Sequence, residues 1–448
     1  MLKSVWPPAL AGLFAIVLSA LTATSAAAQN ILTLEQAVQE ALARNADVRA
    51  AEAGAAIDAA RLLEARAGWF PRLSVAESWQ RGNQPVFVFG SLLASRQLTA
   101  NHFAIDALTH PDAMSVHRTS LGVRQSLFDG RQNATVESAR IARDAATLTL
   151  DEQRAALAVA ATGAYARLVS ANATRRAMDT AVQSARADRA RAADRRDAGT
   201  ATDADVLALD AHVATLVQRA VEAEGETLIA RAELNRLMGS PIDRTYQVIE
   251  STAVTSIADS GDMAALLAEA EAARPELRRA ALGEQQARAE RQLARAALLP
   301  RVTTDAGVEV TGTQFTTRAT SWVAGADVSW TLSLGGAERA RLTAASLAQT
   351  KAAAATDAAR AAVHVEVITA LTEQRAALAR IDAGSAAVGA ARESERIIRD
   401  RVDAGLASVT DLLRAQSAWL DADAQRTKAM ADALISTATL HRALGRQP

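Results

Sequence analysis

The chain is one unit written twice. Residues 198–239 align without a gap to residues 404–445, setting Gly199 against Gly405, Asp205 against Asp411 and Gly239 against Gly445. Upstream the offset changes: Asp47-Val48-Arg49 pairs with Glu276-Leu277-Arg278, Pro71-Arg72 with Pro300-Arg301, and LFDG at 127–130 with LSLG at 332–335. The first copy carries about two dozen extra residues between positions 72 and 127. Whatever one copy folds into, the other must fold into as well.

Each copy reads as helix, two strands, long helix, tip, helix. In the first (29–239), Thr33 is an N-cap for a helix running to about Gly68, and Pro71 ends it. A strand pair is expected at 71–81 and 119–128, separated by the 82–118 insert, whose role the sequence leaves open. A helix from about Arg131 to Asp197 follows, roughly 100 Å long at 1.5 Å per residue. A tip near 198–205 breaks it, and a third helix runs to Met238 before Gly239 closes it. The second copy (263–448) repeats this with a helix near 264–298, a strand pair at 300–312 and 320–333, and a tip near 403–411. Residues 240–262 read as a connector between the copies.

Composition agrees with long helices rather than thick globular cores. Alanine dominates the hydrophobic half, and only 7 Phe, 6 Trp and 2 Tyr occur among 448 residues. Aromatics carry the largest buried areas, and alanine is the best helix former. The formal charge of −1 offers nothing to steer the chain onto nucleic acid. With no cysteine, disulfides, thiol catalysis and a lipidated N-terminal Cys are excluded. Lys3, the apolar run Ala9 to Leu21 and Ala26-Ala27-Ala28 predict a signal peptide over 1–28, cleaved near Ala28/Gln29. No later stretch is long and apolar enough to span a membrane as a helix, so any insertion must use strands.

The strands carry the clearest chemistry. Trp322, Ala324, Ala326, Val328, Trp330 and Leu332 alternate with Gly325, Asp327, Ser329 and Thr331, and Val323 is the one exception. The partner strand alternates Val302, Thr304, Ala306, Val308 and Val310 with Arg301, Thr303, Asp305, Gly307 and Glu309. Segments of about 10 residues, apolar outward and polar inward, are the signature of a membrane β-barrel. Trp322 and Trp330, roughly 27 Å apart along a strand, suit a lipid-facing girdle, while Asp305, Glu309 and Asp327 suit a lumen face. A sheet packed on helices would have to neutralise those acids. Four strands cannot close a barrel, and lipid tolerates no open edge. Two copies would give eight strands, nearly filled by their own side chains; three would give twelve and leave a lumen.

The order of these motifs resembles the outer-membrane efflux protein family, the TolC-like channels, over essentially the whole mature chain. The marks are LTLEQAVQEALARNADV, the turns at Phe70-Pro71 and Leu299-Pro300, LFDG and LSLGG, and the paired AG-x-A-x-x-x-D-[VL]-L tips. The resemblance implies a mainly α chain with a membrane β-barrel: a homotrimer whose four strands per chain build a 12-stranded barrel in outer-membrane lipid. Beneath it would lie a periplasmic α-barrel. Function would be that of the exit duct of a tripartite efflux system, passively conducting what an inner-membrane pump and a periplasmic adaptor deliver. In such channels the tips form the aperture and adaptor contact. That points to Asp205, Asp411 and Arg414 as gate residues and to Gly199, Thr200, Gly405 and Leu406 as tip turns touching the adaptor.

Blander readings exist for each. Asp205 and Asp411 would also serve as first-turn acids, worth about 0.3–1 kcal/mol against the helix dipole. His102, His110 and His117 have spacings that suit no standard metal site. Without a phosphate loop or a Ser/His/Asp set, neither an enzyme nor a cofactor is expected. The alternatives are a duct for type I protein secretion, or a poreless periplasmic coiled-coil adaptor, which would have no use for apolar-out strands.

Overall fold

A computed structural model describes residues 31–249 and 262–446. The expected signal peptide (1–28), most of the expected connector (250–261) and residues 447–448 lie outside the described residues. The chain divides into two compact units, one comprising residues up to 49, 152–274 and 363 onward, the other 50–151 and 275–362.

The first unit is helical. Strand β1 (Ile31–Leu32) leads into α1 (Leu34–Arg44), which opens on a capping box: the Gln36 amide donates to Thr33 Oγ1 at 3.2 Å and the Thr33 amide to Gln36 Oε1 at 3.1 Å. The expected helix to Gly68 is in fact two, α1 and α2 (Ala46–Ala67), broken at Asn45 in extended conformation. Asn45 Oδ1 accepts from the Asp47 amide at 2.8 Å, capping α2, while its Nδ2 donates to the carbonyl of Leu237 at 3.0 Å. The second copy breaks at the equivalent Arg274, between α7 (Met263–Ala273) and α8 (Pro275–Ala296). There the cause is Pro275, which excludes the helical conformation from the residue before it. Buried Arg274 donates to the carbonyl of Arg442 at 3.0 Å and pairs with Glu366 at 2.5 Å. Each copy thus ties its first helix break to the end of its last helix.

Long α5 (Gly130–Asp197) and α9 (Ala337–Asp403) alternate with α6 (Asp203–Leu237) and α10 (Val409–Ala443). Alanines let the first unit's helices approach closely: Ala37, Ala41, Ala161 and Ala164 are buried with Leu234 and Tyr165. Tyr165 donates to the carbonyl of Leu32 at 3.0 Å and accepts from the Ile249 amide at 3.1 Å, pinning β1 beside β4 (Gln247–Val248), with which it pairs in parallel. Burial raises the Tyr165 pKa above that of a free phenol.

Two histidines give these helices a pH dependence. Burial, then Arg219, lowers the pKa of His212; burial, then Arg446, lowers that of His441. The unfolded chain, with histidines at the ordinary 6.5, then binds more protons than the fold below that pH. Stability should be flat above about pH 7 and fall as pH drops through 6.5 toward 5. Denaturant unfolding of the wild type against His212→Gln/His441→Gln checks this; an equally steep fall in the double variant would assign it elsewhere.

The second unit contains a four-stranded antiparallel sheet in the order β2 (Arg72–Gly82), β3 (Met114–Phe128), β5 (Arg301–Gln314), β6 (Thr317–Ser329). The copies join where β3 pairs with β5; among the described residues β2 and β6 are the edges of the sheet. Strand β3 starts five residues before the expected 119, and β6 ends at Ser329 rather than at 333. Ser329 faces Arg301, and beyond it the partner is Pro300, which has no amide to extend the ladder. The 82–118 insert contains α3 (Pro85–Ala94), a 3-10 turn (Ala100–Phe103) and α4 (Ile105–Thr109).

Candidate functional site: the sheet and the hairpin tips

Cross-strand register sorts the sheet into two faces. One row runs Leu73, Val123, Ala306, Ala324; the next runs Val75, Leu121, Val308, Trp322. Leu73, Val75, Trp322 and Val328 are 66–79% exposed. A contiguous apolar face of this kind marks contact with an apolar phase or a partner. Trp322 stands at one rim, one step below a polar cluster on the same face: Arg318 donates to Thr119 Oγ1 at 2.6 Å, lies 3.4 Å from Glu77 and stacks 4.1 Å over Phe315. Trp330 lies just past the strand instead of within it, exposed, its indole donating to the carbonyl of Leu298 at 3.1 Å. That bond pins the strand exit to the end of the preceding helix.

The opposite face carries Asp305, Glu309 and Asp327. Asp305 faces Arg124 on one side and Gly325 on the other, Asp327 faces Thr303, and Glu309 lies 3.1 Å from Arg118. Sequence reading found these acids but passed over Arg118 and Arg124, which the same two-residue period places beside them.

At the tips, Gly199 (φ +77) and Gly405 (φ +72) take left-handed conformations that close their helices. The Thr200 amide reaches the Arg195 carbonyl at 2.8 Å, and the Leu406 amide reaches that of Arg401 at 2.7 Å, the long bonds of Schellman motifs. Thr200 and Leu406 are exposed. Asp205 and Asp411 are the third residues of capping boxes: Asp205 accepts from the Thr202 amide at 3.0 Å and Asp411 from the Ser408 amide at 3.2 Å. The Ser408 bonds, first its hydroxyl and then its amide, hold Asp411 below the usual carboxylate pKa. Arg414 is 3.7 Å from Asp411.

A buried polar group ties one hairpin to the other, and sequence reasoning missed it. Asp188 of α5, 4% exposed, accepts from Gln416 of α10 at 2.8 Å, pairs with Arg191 and lies 3.7 Å from Arg399 of α9. Arg195 of α5 donates to the terminal carbonyls of α9, Val402 at 3.1 Å and Asp403 at 3.0 Å, and pairs with the Asp403 carboxylate at 2.8 Å. A cationic side chain at a helix C-terminus meets both the orphan carbonyls and the dipole.

The insert histidines hold local bonds: His102 caps its own turn through Thr99, and His110 touches Thr109. Among the described residues no group of three His, Asp or Glu is placed to hold a metal, and no helix is long and apolar enough to cross a membrane.

Comparison with known proteins agrees with this arrangement. The chain is similar in structure to the outer-membrane channel OprN (22% identity, TM-score 0.76, 92% of this chain and 90% of that one). It is similar to VceC of Vibrio cholerae (20%, TM-score 0.75, 92% and 96%) and to CmeC of Campylobacter jejuni (17%, TM-score 0.78, 92% and 85%). At such identities the likeness establishes the fold. No curated protein matches the sequence significantly. The profile of the outer membrane efflux protein family matches residues 37–240 and 266–446, covering both copies. The chain therefore belongs to the outer membrane efflux protein family, non-enzymatic channels of the outer membrane with a large periplasmic portion.

Proposed function

We propose that three copies of the chain form the exit duct of a tripartite efflux system. The sheet carries this reading: one apolar face, one charged face, and two edges that lipid cannot leave unpaired. In a trimer, β2 of each copy pairs with β6 of the next, giving twelve strands around an aqueous lumen lined by Asp305, Glu309 and Asp327, with Trp322 and Trp330 toward lipid. Substrate enters passively from an inner-membrane pump through a periplasmic adaptor, which meets the exposed turns at Gly199, Thr200, Gly405 and Leu406. Asp205 and Asp411 cap their helices, so six acids ring the aperture, with Arg414 offsetting three of them. Such a ring attracts cations.

Resting closure, in this reading, comes from the Asp188 tie between hairpins. Asp188→Asn removes the charge facing Arg191 and Arg399, a change worth about 1–3 kcal/mol. In planar bilayers the purified wild type should conduct as a trimer in its low-conductance state. Asp188→Asn should keep the trimer and raise both conductance and open time. A wild type that never conducts would overturn the duct; a conducting trimer indifferent to Asp188→Asn would move the gate elsewhere.

A further inference from the structure

The 82–118 insert is not a passive loop. Helix α3, PVFVFGSLLA, is apolar on every side and begins at Pro85, a preferred first helical residue. Its Val88, Ser91 and Ser95 side is buried, and the helix packs against β5. On the charged face of the sheet a β-carbon at Gly82 would meet the Phe87 ring of this helix at 3.7 Å, and Val116 and Thr311 of the same face are buried, Thr311 bonding Glu309 at 2.9 Å. Two further bonds fasten the segment there, Thr313 to Gln97 at 3.4 Å and Arg96 to the carbonyl of Thr320 at 3.1 Å. The insert therefore folds over the side of the sheet that faces away from lipid.

The other side of α3 has no cover. Val86 is 80% exposed and Leu93 59%, on the flank opposite Val88 and Ser95. Val86, Gly90 and Leu93 recur at i, i+4 and i+7, the spacing of a seam against another helix. A β-carbon at Gly90 would meet no atom within 4 Å, so none of the described residues occupies the seam there. No charged residue occurs from Gly82 to Ser95, so identical helices can approach without repulsion.

We infer that α3 of each copy packs against α3 of its neighbours inside the lumen, making an apolar constriction at the barrel end where β2 and β3 are joined. This rests on the trimeric duct proposed above. What faces the uncovered seam across an enclosed lumen is the same segment of another copy. A twelve-stranded barrel exceeds what its own side chains fill, and helices about 10 Å thick occupy the remainder. A hydrophobic constriction resists water and ions by dewetting, so this end of the duct is a second barrier, separate from the tips.

The absence of cysteine makes the test direct. Val86→Cys should give disulfide-linked dimers on mild oxidation of the trimer, whereas Ala324→Cys, on the lipid side of the sheet, should not. Val86→Asp/Leu93→Asp, checked for an intact trimer on unheated gels, should raise unitary conductance about twofold or more by wetting the constriction. If Val86→Cys trimers conduct yet never crosslink, the constriction is wrong while the duct stands. If the wild type never conducts, the duct fails and the constriction with it.

Discussion

Ala324→Arg should abolish insertion, and Gly325→Arg, one residue along, should insert and assemble normally. Ala324 belongs to the row Leu73, Val123, Ala306, Ala324, apolar across all four strands, two residues in from Trp322 and five from the strand end. An arginine on a barrel's lipid face costs up to about 2–4 kcal/mol per copy at mid-membrane and less toward the rim, and a trimer incurs the cost three times. Position 325 points the other way and stands opposite Asp305. A β-carbon there would come no closer than 3.9 Å to that carboxylate, ordinary contact distance. An arginine at 325 gains an acidic partner in water and should change ion selectivity rather than assembly. Fractionation into outer membrane and a heat-sensitive trimer band on gels read the first effect; reversal potentials in bilayers read the second. Equal assembly of the two variants would mean that the assigned faces are wrong.

The period of two that makes this prediction possible was legible in the sequence because a sheet wet on one side and greasy on the other must alternate. The tips were legible for a similar reason: a helix that turns back needs a left-handed residue, and Gly199 and Gly405 stood at matching places. Other features left weaker traces. The break at Arg274 had Pro275 as its signal although the stretch 264–298 was read as one helix, and its counterpart at Asn45 carries no proline to mark it. Trp330 continued the alternation past the point where Pro300 removes the pairing partner, so pattern alone placed it one residue too deep. Helix α3 hides because it is apolar on every side and so shows no period. Asp188 left no trace: its equivalent in the second copy is Ser394, and one acid among many in an Ala/Arg-rich helix looks solvated until packing buries it.

Gly239→Ala should destabilise the first unit severely, while Gly199→Ala should barely be felt beyond its own turn. Both glycines have left-handed backbone, φ +62 and φ +77, so alanine incurs about 1–2 kcal/mol of conformational cost at either position. Their surroundings differ. At Gly199 a β-carbon would meet nothing within 4 Å; at Gly239 it would lie 2.5 Å from the carbonyl oxygen of Arg44. That oxygen is backbone, held at the end of α1 just before Asn45, whose amide reaches the Leu237 carbonyl. It cannot rotate aside as a side chain would. Relief must separate α1 from the end of α6, adding an overpacking cost of about 1–3 kcal/mol and straining the Asn45 bonds. Gly445, with φ +73, would bring a β-carbon to 2.9 Å from the carbonyl carbon of Ala273, so the second copy should respond in kind. Thermal melts of the purified proteins, with the wild type as reference, separate the contributions. A large loss for Gly239→Ala and a small one for Gly199→Ala would assign the glycine at the joint to close approach. Equal losses would reduce both glycines to backbone conformation alone, and the joint between each copy's first and last helices would owe nothing to the missing side chain.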